Sequence, residues 1–282
     1  MKIAVLSGKG GVGKSMITSS LAILFSQQNK IVALDCDADT PNLALWLGIT
    51  PEIKKGEKIS TVSKPIIDKD KCQHCGLCVT KCPFKAIGKG PEILYYLCEG
   101  CGLCEYICPQ NAITLKKKIN GYLTREKIKY GFEVISAHLI AGETGSGDIV
   151  NEIKEKTKQI PHETTLLDAA AGIGCPVIAS LSGVELVVAV VEPSLSGIAD
   201  LKRALELVNS FNIPFLVVIN KWDLSETNTK KIENEYGSKV IGKVSFDKRI
   251  FKQIANLKPI MDSNLPVKKE IENIFNNLKL YL

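Results

Sequence analysis

Met1-Lys2-Ile3-Ala4-Val5-Leu6-Ser7-Gly8-Lys9-Gly10-Gly11-Val12-Gly13-Lys14-Ser15-Met16 is the stretch on which the fold turns. Residues 2–7 are a short apolar run without alternation, the pattern of a strand covered on both faces. The run leads directly into Gly8 to Ser15, which fits G-x-x-x-x-G-K-[ST] without a mismatch. Residues 14–28 then place Ile17, Leu21, Leu24 and Phe25 at helical spacing. Strand, glycine loop and helix in that order make a phosphate cradle. Glycines let successive N–H groups curl around phosphate oxygens, and the helix N-terminus adds partial positive charge. Lys14 is expected to reach the β- and γ-phosphates and Ser15 to coordinate Mg²⁺. The nucleotide-binding set is Gly8, Lys9, Gly10, Gly11, Val12, Gly13, Lys14, Ser15 and Met16.

Working outward, residues 31–34 read as a second buried strand ending in Asp35-Cys36-Asp37, and 165–167 as another ending in Asp168. Carboxylates at strand C-termini sit where ligands bind in open α/β sheets. Asp37 and Asp168 join Ser15 as expected Mg²⁺ ligands, directly or through water, and Asp35 is expected to support the same shell. Beyond them come a Val-rich strand at 185–191, a helix at 197–209, and a strand at 215–219 ending in Asn220-Lys221-Trp222-Asp223. A helix at 226–235, a strand at 239–244 and a closing amphipathic helix at 267–282 follow. This alternation predicts an α/β fold with a doubly wound, mainly parallel sheet. Residues 121–140 read as paired strands and 148–159 as a polar helix. Gly142-Glu143-Thr144-Gly145-Ser146-Gly147-Asp148 imitates the glycine spacing of a phosphate loop. It carries Asp where Lys is required, so it reads as a loop and helix start.

The rhythm breaks between residues 63 and 118, which hold eight of the ten cysteines and nine lysines. Cys72-x-x-Cys75-x-x-Cys78-x-x-x-Cys82-Pro83 recurs 26 residues later as Cys98-x-x-Cys101-x-x-Cys104-x-x-x-Cys108-Pro109, and each half continues to Ala-Ile. Such a duplication at metal-ligand spacing predicts an inserted domain binding iron–sulfur clusters. Zinc is the alternative for C-x-x-C pairs. The chain therefore divides into 1–62 and 119–282, two segments of one nucleotide-binding domain, and 63–118, the insert. His74 reads as a surface residue, Cys36 as a small core residue, and Cys175 as a thiol packed behind a loop.

The formal charge of +6 does not point to nucleic acid. Two four-iron clusters with thiolate ligands would contribute about −4, leaving roughly +2, and the lysines form no aromatic-laced stripe. No apolar run reaches membrane-spanning length, and no secretory signal is read at the start. A cytoplasmic protein with no nucleic-acid or membrane partner is expected.

The loop with its second lysine, Lys9-Gly10-Gly11-Val12-Gly13-Lys14-Ser15, resembles the deviant phosphate loop of the MinD/ParA/Mrp superfamily of ATPases. The cysteine runs resemble bacterial ferredoxins with two 4Fe–4S clusters. The combination is similar to superfamily members carrying an inserted ferredoxin-like α+β domain. The resemblance implies an ATP-dependent homodimer in which Lys9 acts on the partner's nucleotide, with Lys9, Lys14 and Asp37 as the catalytic set and Asp37 positioning the attacking water. It implies that the Gly172 N–H senses the γ-phosphate and that Asn220 holds adenine. ATP is favoured over GTP, although Asn220-Lys221-Trp222-Asp223 also fits a guanine-reading pattern. It implies that Cys72, Cys75, Cys78 and Cys108 hold one cluster, and Cys98, Cys101, Cys104 and Cys82 the other. Three alanines, Ala169 to Ala171, stand where the family usually has proline after the Asp168 position. The implied function is ATP-gated electron transfer to an unidentified redox partner. The alternative is cluster delivery to an apo-iron–sulfur protein, as in Mrp-type carriers, with spatial positioning of the MinD kind a distant third.

Overall fold

A computed structural model describes residues 1–90 and 92–282. The elements run β1 (Lys2–Ser7), α1 (Lys14–Ser26), β2 (Ile31–Cys36), α2 (Leu43–Trp46), β3 (Glu57–Ile59), β4 (Val62–Ile67), α3 (Leu77–Lys81) and α4 (Leu103–Tyr106). They continue with β5 (Ile113–Lys118), β6 (Gly121–Lys127), β7 (Glu133–Leu139), α5 (Ser146–Thr157), β8 (Thr164–Ala171), α6 (Cys175–Leu181), β9 (Leu186–Val191) and α7 (Leu195–Ser210). The last are β10 (Phe215–Asn220), α8 (Glu226–Tyr236), β11 (Val240–Val244), α9 (Arg249–Ala255) and α10 (Pro266–Leu278).

Nine strands form one sheet in the order β11-β10-β9-β1-β8-β2-β7-β6-β3. Pairing is parallel from β11 to β7 and antiparallel at β7–β6 and β6–β3. The doubly wound, mainly parallel sheet is therefore as expected from the alternating strands and helices. The central strands lack alternation because both faces are covered. Ile3 and Val5 of β1 join the apolar layer that contains Ile17, Leu21 and Phe25 of α1. Ala4 and Leu6 join the opposite layer with Ile149 and Ile153 of α5 and Leu201 and Leu205 of α7.

The closing helix ends at Leu278, earlier than expected, but its apolar positions Val267, Ile271, Ile274, Phe275 and Leu278 are all buried. Phe275 meets Phe25 edge-on at 4.9 Å, which locks α10 onto α1. Burying each large apolar side chain contributes about 1.5–3 kcal/mol, so this face belongs to the core. No helix among the described residues is long and apolar enough to cross a membrane.

β4 and β5 form a separate two-stranded sheet, paired from Val62↔Lys118 to Ile67↔Ile113. Residues 68–112, with α3 and α4, lie between these strands. Elements that the sequence reading does not place are α2, β3, β4, α3, α4, β5, α6 and α9, all of seven residues or fewer and too brief to carry a clear period.

Candidate functional site

The phosphate loop leaves β1 between the ends of β8 and β9. Gly13 turns the chain into α1 with φ 95°, and a Cβ there would lie 2.1 Å from Asn220 Nδ2. Only glycine fits both the left-handed backbone and the gap. Behind the loop, Lys14 Nζ lies 2.9 Å from Asp168 Oδ1 and donates to Ser15 Oγ at 3.3 Å. The Thr18 hydroxyl donates to the same Asp168 oxygen at 2.7 Å. Burial is the largest influence on the Lys14 pKa and works to lower it. The charge and hydrogen bond of Asp168, together with the charges of Asp35 and Asp37, outweigh it, so the net shift is upward and the ammonium is held. Asp168 is fully buried, and its Oδ2 has no hydrogen-bond partner among the described residues. A buried carboxylate oxygen without a donor fits the hydration shell of a divalent cation beside Ser15.

Asp35 departs from expectation. Its Oδ2 accepts from the Leu43 amide at 2.8 Å and its Oδ1 from the Asp37 amide at 3.1 Å. Both oxygens therefore hold the turn from Asp37 to Leu43. Burial first, and the Asp168 charge second, push its pKa up to about 7. Asp37 is more open. Its Oδ1 accepts from the amide (3.3 Å) and hydroxyl (3.2 Å) of Thr40, and burial raises its pKa against the pull of Lys14.

Three other expected nucleotide contacts are engaged within the chain. The Lys9 ammonium pairs with Glu192 Oε1 at 2.7 Å and donates to Ser196 Oγ at 3.3 Å. The Gly172 amide donates to the Ser7 carbonyl at 2.9 Å, so a γ-phosphate contact requires that bond to open. Asn220 Nδ2 donates to the Val12 carbonyl at 2.6 Å, and its Oδ1 accepts from the Lys221 amide at 3.0 Å. Asn220 thus ties the loop to β10 where adenine recognition was expected. Lys221 repeats the tie, donating to the Gly11 carbonyl at 2.9 Å and meeting Glu192 Oε2 at 3.1 Å. Val12 and Met16 are buried beneath the loop, whereas Gly10 and Gly11 face open space. Sequence reasoning missed Thr18 and Glu192. Thr18 was findable, since it stands four residues after Lys14 and shares its helix face.

The cysteines of the insert gather around two hollows. Cys72, Cys75, Cys78 and Cys108 line one of about 300 Å³. Cys82, Cys98, Cys101 and Cys104 line a tighter one, with Cys78 at its edge. The fourth cysteine of each run thus lies with the other run's first three. The backbone repeats as the sequence does. The Ala86 amide donates to Cys82 Sγ at 3.4 Å, and the Ala112 amide to Cys108 Sγ at 3.3 Å. Burial pushes the Cys78 and Cys104 thiols up, with neighbouring thiols adding to the shift. Among the described residues, no three His, Cys, Asp or Glu side chains meet closely enough to hold one metal ion. Each thiol quartet instead surrounds a space, and four thiols with N–H donors to sulfur suit a polynuclear iron–sulfur centre.

His74 is exposed beside the first hollow. Cys36 is fully buried, and burial pushes its pKa up to about 12, as befits an inert core thiol. Cys175 is exposed rather than packed, because it opens α6 on the surface against Gly147.

Residues 3–260 match the family model for the CobQ/CobB/MinD/ParA nucleotide binding domain. An uncharacterised protein of Methanocaldococcus jannaschii is 40% identical across 100% of this chain and 98% of its own length. An iron-sulfur cluster carrier protein of Aquifex aeolicus is 24% identical over 93% of this chain and 62% of its own. Among solved structures, the cell division ATPase MinD of Pyrococcus furiosus superposes with a TM-score of 0.64 at 16% identity, over 100% of this chain and 99% of that one. That likeness speaks for the fold.

Proposed function

The chain belongs to the CobQ/CobB/MinD/ParA nucleotide-binding family as an ATP-binding protein of the MinD/ParA type, and from that premise we propose that it is an ATPase whose nucleotide-dependent dimerisation gates electron transfer through two 4Fe–4S clusters. The observation that carries this reading is the pair of thiol quartets, each lining its own hollow, in the same chain as a complete phosphate loop.

In this reading Lys14 and the loop amides hold the nucleotide's phosphates, and Ser15 and Asp168 Oδ2 take the magnesium shell. Asp37, exposed enough to meet water, orients the attacking molecule. Lys9 exchanges Glu192 for the partner protomer's nucleotide, as a cation brought to developing negative charge. Gly172 exchanges the Ser7 carbonyl for the γ-phosphate. Cys72, Cys75, Cys78 and Cys108 would hold one cluster, and Cys82, Cys98, Cys101 and Cys104 the other. When bound, such clusters supply one-electron transfer.

Anaerobic purification should give about eight iron and eight sulfide per chain, and Cys75→Ala about half of each. Sedimentation should give a dimer with Mg-ATP and a monomer with ADP. Zinc in place of iron, or one oligomeric state under all nucleotide conditions, would contradict the reading. Delivery of clusters is the second reading, favoured by the Aquifex aeolicus relative named as a cluster carrier. A carrier releases iron to an apo-acceptor during turnover, whereas an electron-transfer protein keeps it.

A further inference from the structure

Lys64 stands in β4, where the sequence shows an ordinary lysine on a short strand, yet it is only 2% exposed. Its ammonium donates to the carbonyls of Cys98 and Tyr95 (3.4 Å to the latter) and to the Thr144 hydroxyl at 3.1 Å. Among the described residues it forms no ion pair. Glu143, beside Thr144, gives its Oε1 to Lys118 at 2.6 Å rather than to Lys64, and its buried Oε2 has no partner among the described residues. Carbonyl oxygens solvate an ammonium but do not neutralise it, and an unpaired buried cation is strongly disfavoured. The missing negative charge belongs close to Cys98, which lines the second hollow.

We propose that Lys64 is the fixed counter-charge of the anionic cluster held by Cys82, Cys98, Cys101 and Cys104, and that it fastens this cluster's loop to residues 140–145 of the nucleotide-binding domain. The proposal rests on the cluster reading given above. Lys64 is a positioning residue that acts through the Cys98 backbone. A cation there stabilises the reduced cluster, which carries one more negative charge, over the oxidised one.

The fastening has a continuation toward the nucleotide. Asn120 Nδ2 holds the Thr144 carbonyl at 2.9 Å and the Thr61 hydroxyl at 2.8 Å. A Cβ on Gly145 would come within 2.6 Å of Val62, so this loop is seated on the base of the insert. α5 follows, and Gly147 sits where a Cβ would be 3.2 Å from Cys175, at the start of α6. The residues just before α6 are Gly172 to Gly174, on the nucleotide side. Packed elements therefore run without a gap from Gly172 to Cys98 by way of Thr144 and Lys64. Movement of the 172–174 loop reaches the second quartet by this route.

The test uses the full-length, cluster-loaded protein, with iron counted first, then each cluster titrated by potential under electron paramagnetic resonance. Lys64→Gln keeps an N–H donor for the Cys98 carbonyl and removes only the charge. It should move the reduction equilibrium of one cluster about tenfold toward oxidised, which is about 59 mV for a one-electron couple. The other cluster should stay within about twofold, and Lys64→Arg should restore the wild-type value. Thr144→Val keeps the charge and cuts the fastening. In the wild type Mg-ATP and ADP should give different iron-chelation rates, and equal rates there would overturn the fastening. Thr144→Val should leave the potential within about twofold and abolish that difference. Wild-type protein without iron would fell the cluster reading, and this inference with it. Eight iron with unshifted potentials in Lys64→Gln would overturn the inference alone. If Lys64→Gln does not fold, an unchanged nucleotide effect in Thr144→Val overturns the fastening, and an Arg variant with a displaced potential overturns the counter-charge.

Discussion

Replacing Glu192 with Gln should tighten the ATP-dependent dimer. To act on a partner's nucleotide, Lys9 must leave Glu192, from which it stands 2.7 Å away. The two side chains are 34% and 16% exposed, so the pair is partly screened and is worth about 0.5–1 kcal/mol. In a twofold dimer the loss occurs twice, about 1–2 kcal/mol in all, or roughly a 5- to 30-fold change in Kd. Lys221 and Ser194 now donate to different oxygens of Glu192. Gln keeps the length and one acceptor oxygen, which serves Lys221, while its amide N–H donates to the Ser194 hydroxyl. The loop tie through Lys221 should therefore persist. Sedimentation velocity across a concentration series, with Mg²⁺ and a non-hydrolysable ATP analogue, measures the effect. Lys9→Ala serves as the variant that binds nucleotide but does not pair. An unchanged or weaker dimer in Glu192→Gln, with nucleotide affinity intact, would refute the idea that this ion pair restrains Lys9.

Asp168→Ala breaks a buried ion pair and should destabilise the nucleotide-free protein by about 3–5 kcal/mol in urea unfolding. Asp168→Asn should cost less, since an oxygen remains for Lys14 and Thr18, and equal midpoints for the two variants would count against this account. Gly13→Ala should eliminate nucleotide binding, because the new methyl collides with Asn220 Nδ2. Adding Asn220→Ala should recover part of the lost melting temperature but not all, as φ 95° remains unfavourable for alanine. Asp35 has its pKa raised from 3.8 to about 7, so the stability it contributes is full below its ordinary range and is lost as pH rises through about 7. Asp35→Asn should flatten that part of the stability curve, and an unaltered pH profile would show that the carboxyl is not the group responsible.

What could be read from the chain was what lies contiguous in it. Strand, glycine loop and Lys14 are neighbours in sequence, and their geometry follows from local rules. The duplicated cysteine runs show their repeat directly, whereas the crossing of their fourth cysteines is implied by the resemblance to two-cluster ferredoxins. Roles set by distant partners were hidden. Asp35 looks like a support of the Mg²⁺ shell until Leu43, eight residues away, is seen to donate to it. Asn220 sits in a base-reading pattern, yet its amide is captured by Val12 across 208 residues. Cys175 follows an apolar strand and reads as buried, but it falls at the surface where α6 begins. Lys64 carries no local signal, since one lysine in a six-residue strand is ordinary until the partners of its ammonium are known.

The register at the sheet edge bears on how such a chain can be assembled from parts. β3 and β6 pair from Glu57↔Leu123 to Ile59↔Gly121, and β4 and β5 resume antiparallel pairing at Val62↔Lys118. The Asn120 amide donates to the Ile59 carbonyl at 3.0 Å, closing the gap between the two ladders. The cysteine-rich segment is thus the tip of one long hairpin, and its two points of departure from the sheet are adjacent rungs. A two-residue turn joining Ile59 to Gly121 would close the same β3–β6 hairpin and leave the other seven pairings of the nine-stranded sheet untouched. Loop-closure entropy grows only with the logarithm of length, so carrying the extra residues costs the sheet a few kcal/mol at most. Geometrically the segment is a cassette: none of residues 60–120 belongs to either apolar layer of the main sheet among the described residues, so a single β-turn in their place would leave both layers intact.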